Sequence, residues 1–451
     1  MSSGNTVQKP QSNALPMVIV AVLFFILGFA TWLNGSLMPY LKQILDLTAL
    51  QASLILFSFY IAVTFTALPS AAVIRKVGYK NGMALGMGTM MLAGLLFIPA
   101  AKTQFFPLFL LAQLVMGAGQ TLLQTAVNPY VVRIGPEESA AVRISIMGIL
   151  NKGAGVVAPI VFTALILSGF SDTVGQELTQ AQVDDMANAL VLPYLGMAIF
   201  IGLLGFAVKK SPLPELEKEE EEGSETKGQT KQALAHPNLA LGVIALFLYV
   251  AVEVIAGDTI GTFALSMGVA DYSIMTSYTM ICMVFGYVLG IILIPRFISQ
   301  AAALAASAVL GVIVTIGVVS IDHSSYAISQ FIFGENSLPD PLLLVAVLGL
   351  ANAIVWPAIF PLALSGLGKL TSTGSALLVM GISGGAFGPL FWGLASSVDK
   401  TAPQLEQASA MQFGYIVMLP CYLFILFYAV KGHKMRSWGS KDEAEGKLAA
   451  E

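Results

Sequence analysis

Charge is what this chain has least of. Only 11% of its 451 residues are Asp, Glu, Lys or Arg, against about 25% in an average soluble domain, which excludes a molecule wrapped in water on all sides. Cysteine is scarce too. The two present, Cys282 and Cys421, both fall inside apolar runs, which rules out a disulfide framework or a cysteine metal cluster and leaves packing as their role. The three histidines, His236, His323 and His433, all fall outside those runs. An enzyme working inside a membrane needs a nucleophile with its base, or a metal cluster, at depth. Neither is offered, so no catalysis and no cofactor are expected. The net charge of -4, with its acids mostly in loops and one linker, gives no reason to expect nucleic acid as a partner.

What the chain does have is 56% hydrophobic residues, gathered in runs of roughly 20, enough to cross about 30 Å of hydrocarbon at 1.5 Å per residue. Six runs fall at about 15–33, 49–73, 82–101, 105–129, 143–168 and 190–208, and six more at about 238–265, 273–295, 299–321, 341–365, 370–397 and 411–430. Between the sets lies a charged stretch, Lys209 to Lys231, with Glu219 to Glu222 at its centre. The expected fold is an all-α membrane protein of twelve transmembrane helices in two six-helix bundles. Its expected parts are a tail 1–14, a bundle 15–208, a linker 209–237, a second bundle 238–430 and a tail 431–451. The first run has no small-residue cleavage site after it and is read as a retained helix.

Lys and Arg fix the orientation, because positively charged loops stay in the cytoplasm. With both termini inside, all but four of the 22 bases fall on the cytoplasmic side; Lys42, Lys102 and Lys400 fall outside and Lys152 lies within a run. The outer loops Asp172 to Asn188 and Asp322 to Asp340 have room for short surface helices. The two sets of six also echo each other: Met147-Gly148-Ile149, then glycines, then Pro159, against Met380-Gly381-Ile382, then glycines, then Pro389. Related halves with a site between them near the midplane are the pattern of a rocking transporter. Gly153, Gly155, Gly384, Gly385 and Gly388 would let helices approach closely there.

Three ionisable residues sit well inside runs: Lys152 in the fifth, Glu253 and Asp258 in the seventh. Each would cost about 2.5–3.5 kcal/mol at a lipid-facing helix centre, so they are expected to face a wet cavity or one another. Five residues separate the two acids, about 140° on a straight helix, so sharing a face requires a bend, for which Gly257 and Gly261 qualify. Lys152 then pairs with either acid, and the other is free for a coupling cation, with Na⁺ near Asp258 as one form. Amides follow the same logic: Asn34, Gln120, Gln124, Asn128, Asn151 and Asn352 lie at depths where facing lipid is expensive. Gln120, Gln124 and Asn128 recur at i, i+4, i+8 along one stripe. Amides both donate and accept, which suits a ligand rich in hydroxyls. Of the tryptophans in runs, Trp32, Trp356 and Trp392, Trp356 is the candidate to lie against such a ligand.

Six plus six helices, the loop Arg75-Lys76-Val77-Gly78-Tyr79-Lys80 and the run Gln124-Thr125-Ala126-Val127-Asn128-Pro129-Tyr130 resemble the major facilitator superfamily. Within it, the chain is similar to the fucose permease and glucose/galactose transporter family from Gly28 to about Pro420. The similarity includes Glu253, NAIVWPAIF at Asn352 to Phe360 and GSALLVMGISGGAFGP at Gly374 to Pro389. Fucose permeases have Asn-Asp where this chain has Asn34-Gly35, and a glutamate where it has Gln124; both proton-handling carboxylates are missing. Gln124 is shared with the glucose/galactose branch, and Asn151 matches an asparagine near the sugar, while Lys152 replaces a small polar residue. The resemblance implies sugar import, with coupling left to Glu253, Asp258 and Lys152.

The combined expectation is a bacterial inner-membrane symporter that imports a hexose with Na⁺ or H⁺ by alternating access and acts as a monomer. Asn34, Gln120, Gln124, Asn128, Asn151, Glu253, Asn352 and Trp356 would bind the sugar; Asp258, Glu253 and Lys152 would handle the cation. The alternatives are an N-acetylglucosamine permease, an uncoupled sugar facilitator and, from another class, a sugar-sensing receptor. The short charged tails carry no signalling domain, which counts against the last.

Overall fold

The computed structural model describes residues 14–133, 140–170, 173, 178–216, 226–294, 296–335, 337–399 and 401–438. The acidic run Glu219 to Glu222 and the bases Lys9, Lys218, Lys400, Lys441 and Lys447 lie outside them. Among the described residues, twelve helical segments are long and apolar enough to span a bilayer. They are α1 (Leu15–Ile44), α2 (Ala49–Ala67), α3 (Tyr79–Thr103), α4 (Phe106–Val131), α5 (Ile146–Gly169) and α6 (Gln180–Lys210), then α7 (Pro237–Asp258), α8 (Tyr272–Leu293), α9 (Gln300–Ser320), α10 (Asp340–Leu364), α11 (Thr373–Ala395) and α12 (Gln404–Lys434). An even number of crossings brings the start of α1 and the end of α12 to one side of the molecule, called here the terminal end; the opposite side is the far end.

Within the first six, α3 packs on α4 and α6, α2 on α4, and α1 on α5; within the second six, α8 and α9 pack on α10, α9 on α12, and α7 on α11. The two most extensive pairings between the groups are α2 with α11 and α5 with α8, and the end of α1 also packs against the second group. The surface away from these contacts is apolar, with Leu192, Leu203, Phe206 and Ile313 all more than 60% exposed, as lipid-facing positions must be.

The first helix does not stop near residue 33. Asn34, Gly35, Ser36 and Pro39 have the composition of a turn, yet the chain turns only at Leu33 and continues as a buried helix to Ile44. The reason is that its polar groups are taken up inside the protein: Asn34 by α4 and Ser36 by α8. The seventh run is broken instead of continuous. It ends at Asp258 and resumes as a short helix, Ile260–Ser266, after Thr259, whose hydroxyl turns back to the Ile255 carbonyl at 2.7 Å. Side-chain bonding of this kind to the preceding turn bends helices.

Hydrogen bonds between the two groups gather at the far end. Ser36 Oγ donates to the Ser273 carbonyl (2.6 Å), Ser277 Oγ to the Val156 carbonyl (2.7 Å) and Tyr272 OH to Gln43 Oε1 (3.2 Å), while Thr163 and Ser273 share a hydroxyl pair. Among the described residues, the side-chain bonds joining one group to the other lie here or at Lys152. The structure is therefore the form closed at the far end.

A loop at that end carries the short helix Ala327–Phe333 and is pinned by Asp340, the first residue of α10, which is fully buried. Its carboxylate accepts from Ser325 Oγ (2.6 Å) and from the amides of Ile328 (3.1 Å) and Ser329 (2.9 Å). Removing it strands those donors, at a cost of about 1–3 kcal/mol. Asp340→Ala is expected to lower the thermal unfolding midpoint in detergent, and an unshifted midpoint would contradict this account of the loop.

Candidate functional site

The midplane charges meet across the two groups. Lys152 of α5 forms an ion pair with Glu253 of α7, and the Lys152 ammonium also lies 4.5 Å from the centre of the Trp32 ring of α1. Both charged side chains are nearly shut off from solvent, at 11% and 9% exposure. Pairing satisfies the demand that a buried charge find a partner, and the aromatic face adds a second attraction for the cation. Of the two acids open to Lys152 by sequence, the structure selects Glu253. Tyr249 of α7 and Tyr287 of α8 lie within electrostatic reach of the Glu253 carboxylate.

Asp258 sits at the break in α7, fully buried, and no side chain donates to either of its oxygens. Opposite it stands Gly35 of α1. A Cβ there would lie 3.0 Å from Asp258 Oδ1 and would run into the Thr276 hydroxyl of α8. Only a glycine lets the backbone of one group come this close to the carboxylate of the other.

A second polar row joins α1 to α4. Gln113 Nε2 donates to Asn34 Oδ1 at 2.8 Å, and Gln120 Nε2 donates to Thr31 Oγ1 at 2.5 Å. Asn34 Nδ2, Gln113 Oε1 and Gln120 Oε1 remain buried without partners. Unmet donors and acceptors of this kind are costly in a folded protein, and they are what a polyhydroxylated ligand would satisfy.

The other predicted residues are placed unevenly. Gln124 and Asn151 are half-buried and Asn128 is exposed; none of the three has a side-chain hydrogen bond among the described residues. Asn128 lies about 12 Å along the helix from Gln120, at 1.5 Å per residue, towards the terminal end. Asn352 is fully buried, with its oxygen accepting from Tyr422 OH at 2.8 Å and its nitrogen 3.5 Å from the Val252 carbonyl. Both ends of that amide are engaged within the second group. Trp356 is half-buried and stacks on Phe360, with the ring centres 5.9 Å apart. Of the glycines expected at close approaches, Gly155 lies against Trp32 and Gly385 against Tyr60, whereas Gly153 faces open space with nothing within 4 Å.

Sequence reasoning passed over Gln113, Thr31 and the tyrosines around the charges. Gln113 carried a usable signal: it stands seven residues, two turns, before Gln120 and so extends the same stripe. The tyrosines carried none, being indistinguishable in sequence from packing aromatics.

No group of three or more His, Cys, Asp or Glu suited to a metal occurs among the described residues. The arrangement is a set of hydrogen-bonding groups and one compensated charge pair, shared by two helical groups and closed at one end. Chemically, that is binding machinery.

Residues 20–389 match the family described as the Major Facilitator Superfamily. A glucose/galactose transporter of Brucella abortus is 33% identical over 442 residues, 95% of this chain and 97% of that protein. An L-fucose-proton symporter of Escherichia coli is 30% identical over 433 residues, 90% and 93% of the two chains. A solved structure of the transporter FucP in an outward conformation superimposes with a TM-score of 0.63 at 26% identity, over 93% of this chain and 99% of that one. The chain thus belongs to the major facilitator superfamily of membrane transporters, in the group that includes the bacterial glucose/galactose transporters and L-fucose-proton symporters.

Proposed function

We propose that this protein imports a hexose of the glucose/galactose type across a bacterial inner membrane by alternating access, driven by a cation, H⁺ or Na⁺. The observation that carries the reading is the Lys152–Glu253 pair joining the two groups, with the unmet amides of Asn34, Gln113 and Gln120 on α1 and α4. Glu253 and these amides hold sugar hydroxyls, with Gln124, Asn128 and Asn151 on the path towards the terminal end and Trp356 offering an aromatic face. Asn352 acts by fixing α10 to α7 and α12. Asp258 or Glu253 takes up the cation and Lys152 balances the charge. The termini lie in the cytoplasm, bundles 15–208 and 238–430 rock about the site on linker 209–237, and the monomer is the working unit.

The names of the relatives support a sugar as cargo, and the concentration of bases on the terminal side supports the orientation. The test is uptake of radiolabelled glucose into proteoliposomes under an imposed Na⁺ or pH gradient, with galactose, fucose and N-acetylglucosamine as competitors. Accumulation above the external concentration, competed best by galactose, is expected. Competition by N-acetylglucosamine alone would move the cargo to an amino sugar, and equilibration without accumulation would reduce the protein to a facilitator.

A further inference from the structure

We propose that Asp258 alone is the seat of the coupling cation, one monovalent ion per transport cycle, and that this seat is completed only when the two helical groups close on each other at the far end. The inference rests on the coupled-import reading and deepens it.

The midplane holds two carboxylates and one base. Lys152 is committed to Glu253 and to the Trp32 face, so the Glu253 charge is already balanced from within and needs no ion from solution. Asp258 has no such balance. It is fully buried, no side chain donates to its two oxygens, and the backbone amide of Gly35 points to it. A buried carboxylate left without a counter-ion is strongly unfavourable, and one backbone amide does not offset its charge. One unmatched negative charge calls for one positive charge, delivered as H⁺ or Na⁺.

The walls of the seat come from both groups. Asp258 and Thr276 belong to the second six helices and Gly35 to the first. The charged or titratable groups that face the carboxylate from the elements around it are Glu253 of α7, Lys152 of α5 and Tyr60 of α2. Thr276 Oγ1 donates to the Gly257 carbonyl at 2.7 Å, so that hydroxyl holds the broken end of α7 in place instead of neutralising the acid. Three residues beyond Asp258, Gly261 packs against the Gly35 carbonyl, where its Cβ would lie at 2.9 Å. Closing the far end therefore seals Asp258 from water. Without a cation the carboxylate keeps its hydration only while the far end stays open; with one, the dry closed form becomes accessible. This ties cation binding to the conformational step, and it leaves Glu253 to the sugar.

The test uses the full chain in proteoliposomes, wild type against Asp258→Asn and Glu253→Gln, reading counterflow at equal ion concentrations and accumulation under an imposed pH gradient in K⁺ or a Na⁺ gradient at fixed pH. The expected result is that Asp258→Asn still exchanges sugar above the liposome background while its accumulation ratio falls to about one under either gradient, the value for equilibration without coupling. The gradient that drives the wild type identifies the ion. Accumulation by Asp258→Asn on the wild-type gradient overturns the assignment and leaves coupled import standing. Wild type that accumulates on neither gradient overturns coupled import and this assignment with it. Should Asp258→Asn fail to assemble, Asp258→Glu decides, since it keeps the charge and displaces it by one methylene: a roughly tenfold change in the cation concentration for half-maximal accumulation, equivalent to about 1.4 kcal/mol, supports the seat, and an unchanged cation dependence overturns it.

Discussion

Replacing Lys152 by Met or Glu253 by Gln is expected to abolish sugar uptake and to lower stability sharply, while the double replacement recovers stability without recovering uptake. The two side chains are 11% and 9% exposed and belong to different helical groups. Each has given up its hydration for the other. Removing one partner leaves a bare charge in a region of low dielectric, at about 3–5 kcal/mol. Removing both leaves neutral side chains of similar volume, and exchanges of that kind are often neutral or stabilising. For Lys152→Met there is a further loss, because the ammonium no longer rests on the Trp32 ring; for Glu253→Gln the sugar loses its charged acceptor. Thermal unfolding of the four proteins in detergent forms a double-mutant cycle, and uptake measured on the same preparations separates structural loss from functional loss. Single variants as stable as the wild type would mean that the pair is not closed in the folded protein, and a double variant that transports would mean that neither charge touches the cargo.

How much of this was readable in advance depends on which force fixed each feature. The helix count was legible because the bilayer demands about 20 apolar residues per crossing, and no tertiary detail changes that demand. Lys152, Glu253 and Asp258 stood out for the same reason, since charge inside such a run needs an explanation. Their pairing did not, because the choice between Glu253 and Asp258 depends on where the break in α7 turns the chain, and the break rests on Thr259 as much as on the neighbouring glycines. The end of α1 was misplaced because Asn34, Ser36 and Pro39 read locally as a turn, while the bonds that keep them helical come from α4 and α8. Asn352 shows the converse. It was conspicuous as a deep amide, yet Tyr422 and Val252 engage it, and neither contact leaves a trace in the spacing of polar residues.

Far-end closure depends on glycine contacts that a single methyl group would disturb, which makes Gly261→Val the sharpest probe of alternating access. The Cβ it adds would lie 2.9 Å from the carbonyl oxygens of Gly35 and Tyr272 and 3.2 Å from the Pro39 ring. Two of those three obstacles are backbone, so the strain cannot be relieved by rotating a side chain. Overpacking of this sort costs about 1–3 kcal/mol; the part due to Gly35 and Pro39 falls on the closed form alone, because opening the far end separates α1 from the short helix Ile260–Ser266, whereas the Tyr272 contact lies within the second group and stays. A bias of that size shifts the two-state population by a factor of roughly 5 to 150, and uptake should fall by a comparable factor while sugar binding to the open form persists. Ser36 reports the shift directly: it is fully buried with its hydroxyl on the Ser273 carbonyl, so a Ser36→Cys thiol is shielded when the far end is closed. With Cys282 and Cys421 replaced by serine, an impermeant thiol reagent should label Ser36→Cys slowly and the Ser36→Cys, Gly261→Val pair much faster. Equal labelling rates with undiminished uptake would show that the far end closes by some other contact, and the gate would then have to be sought where α2 meets α11.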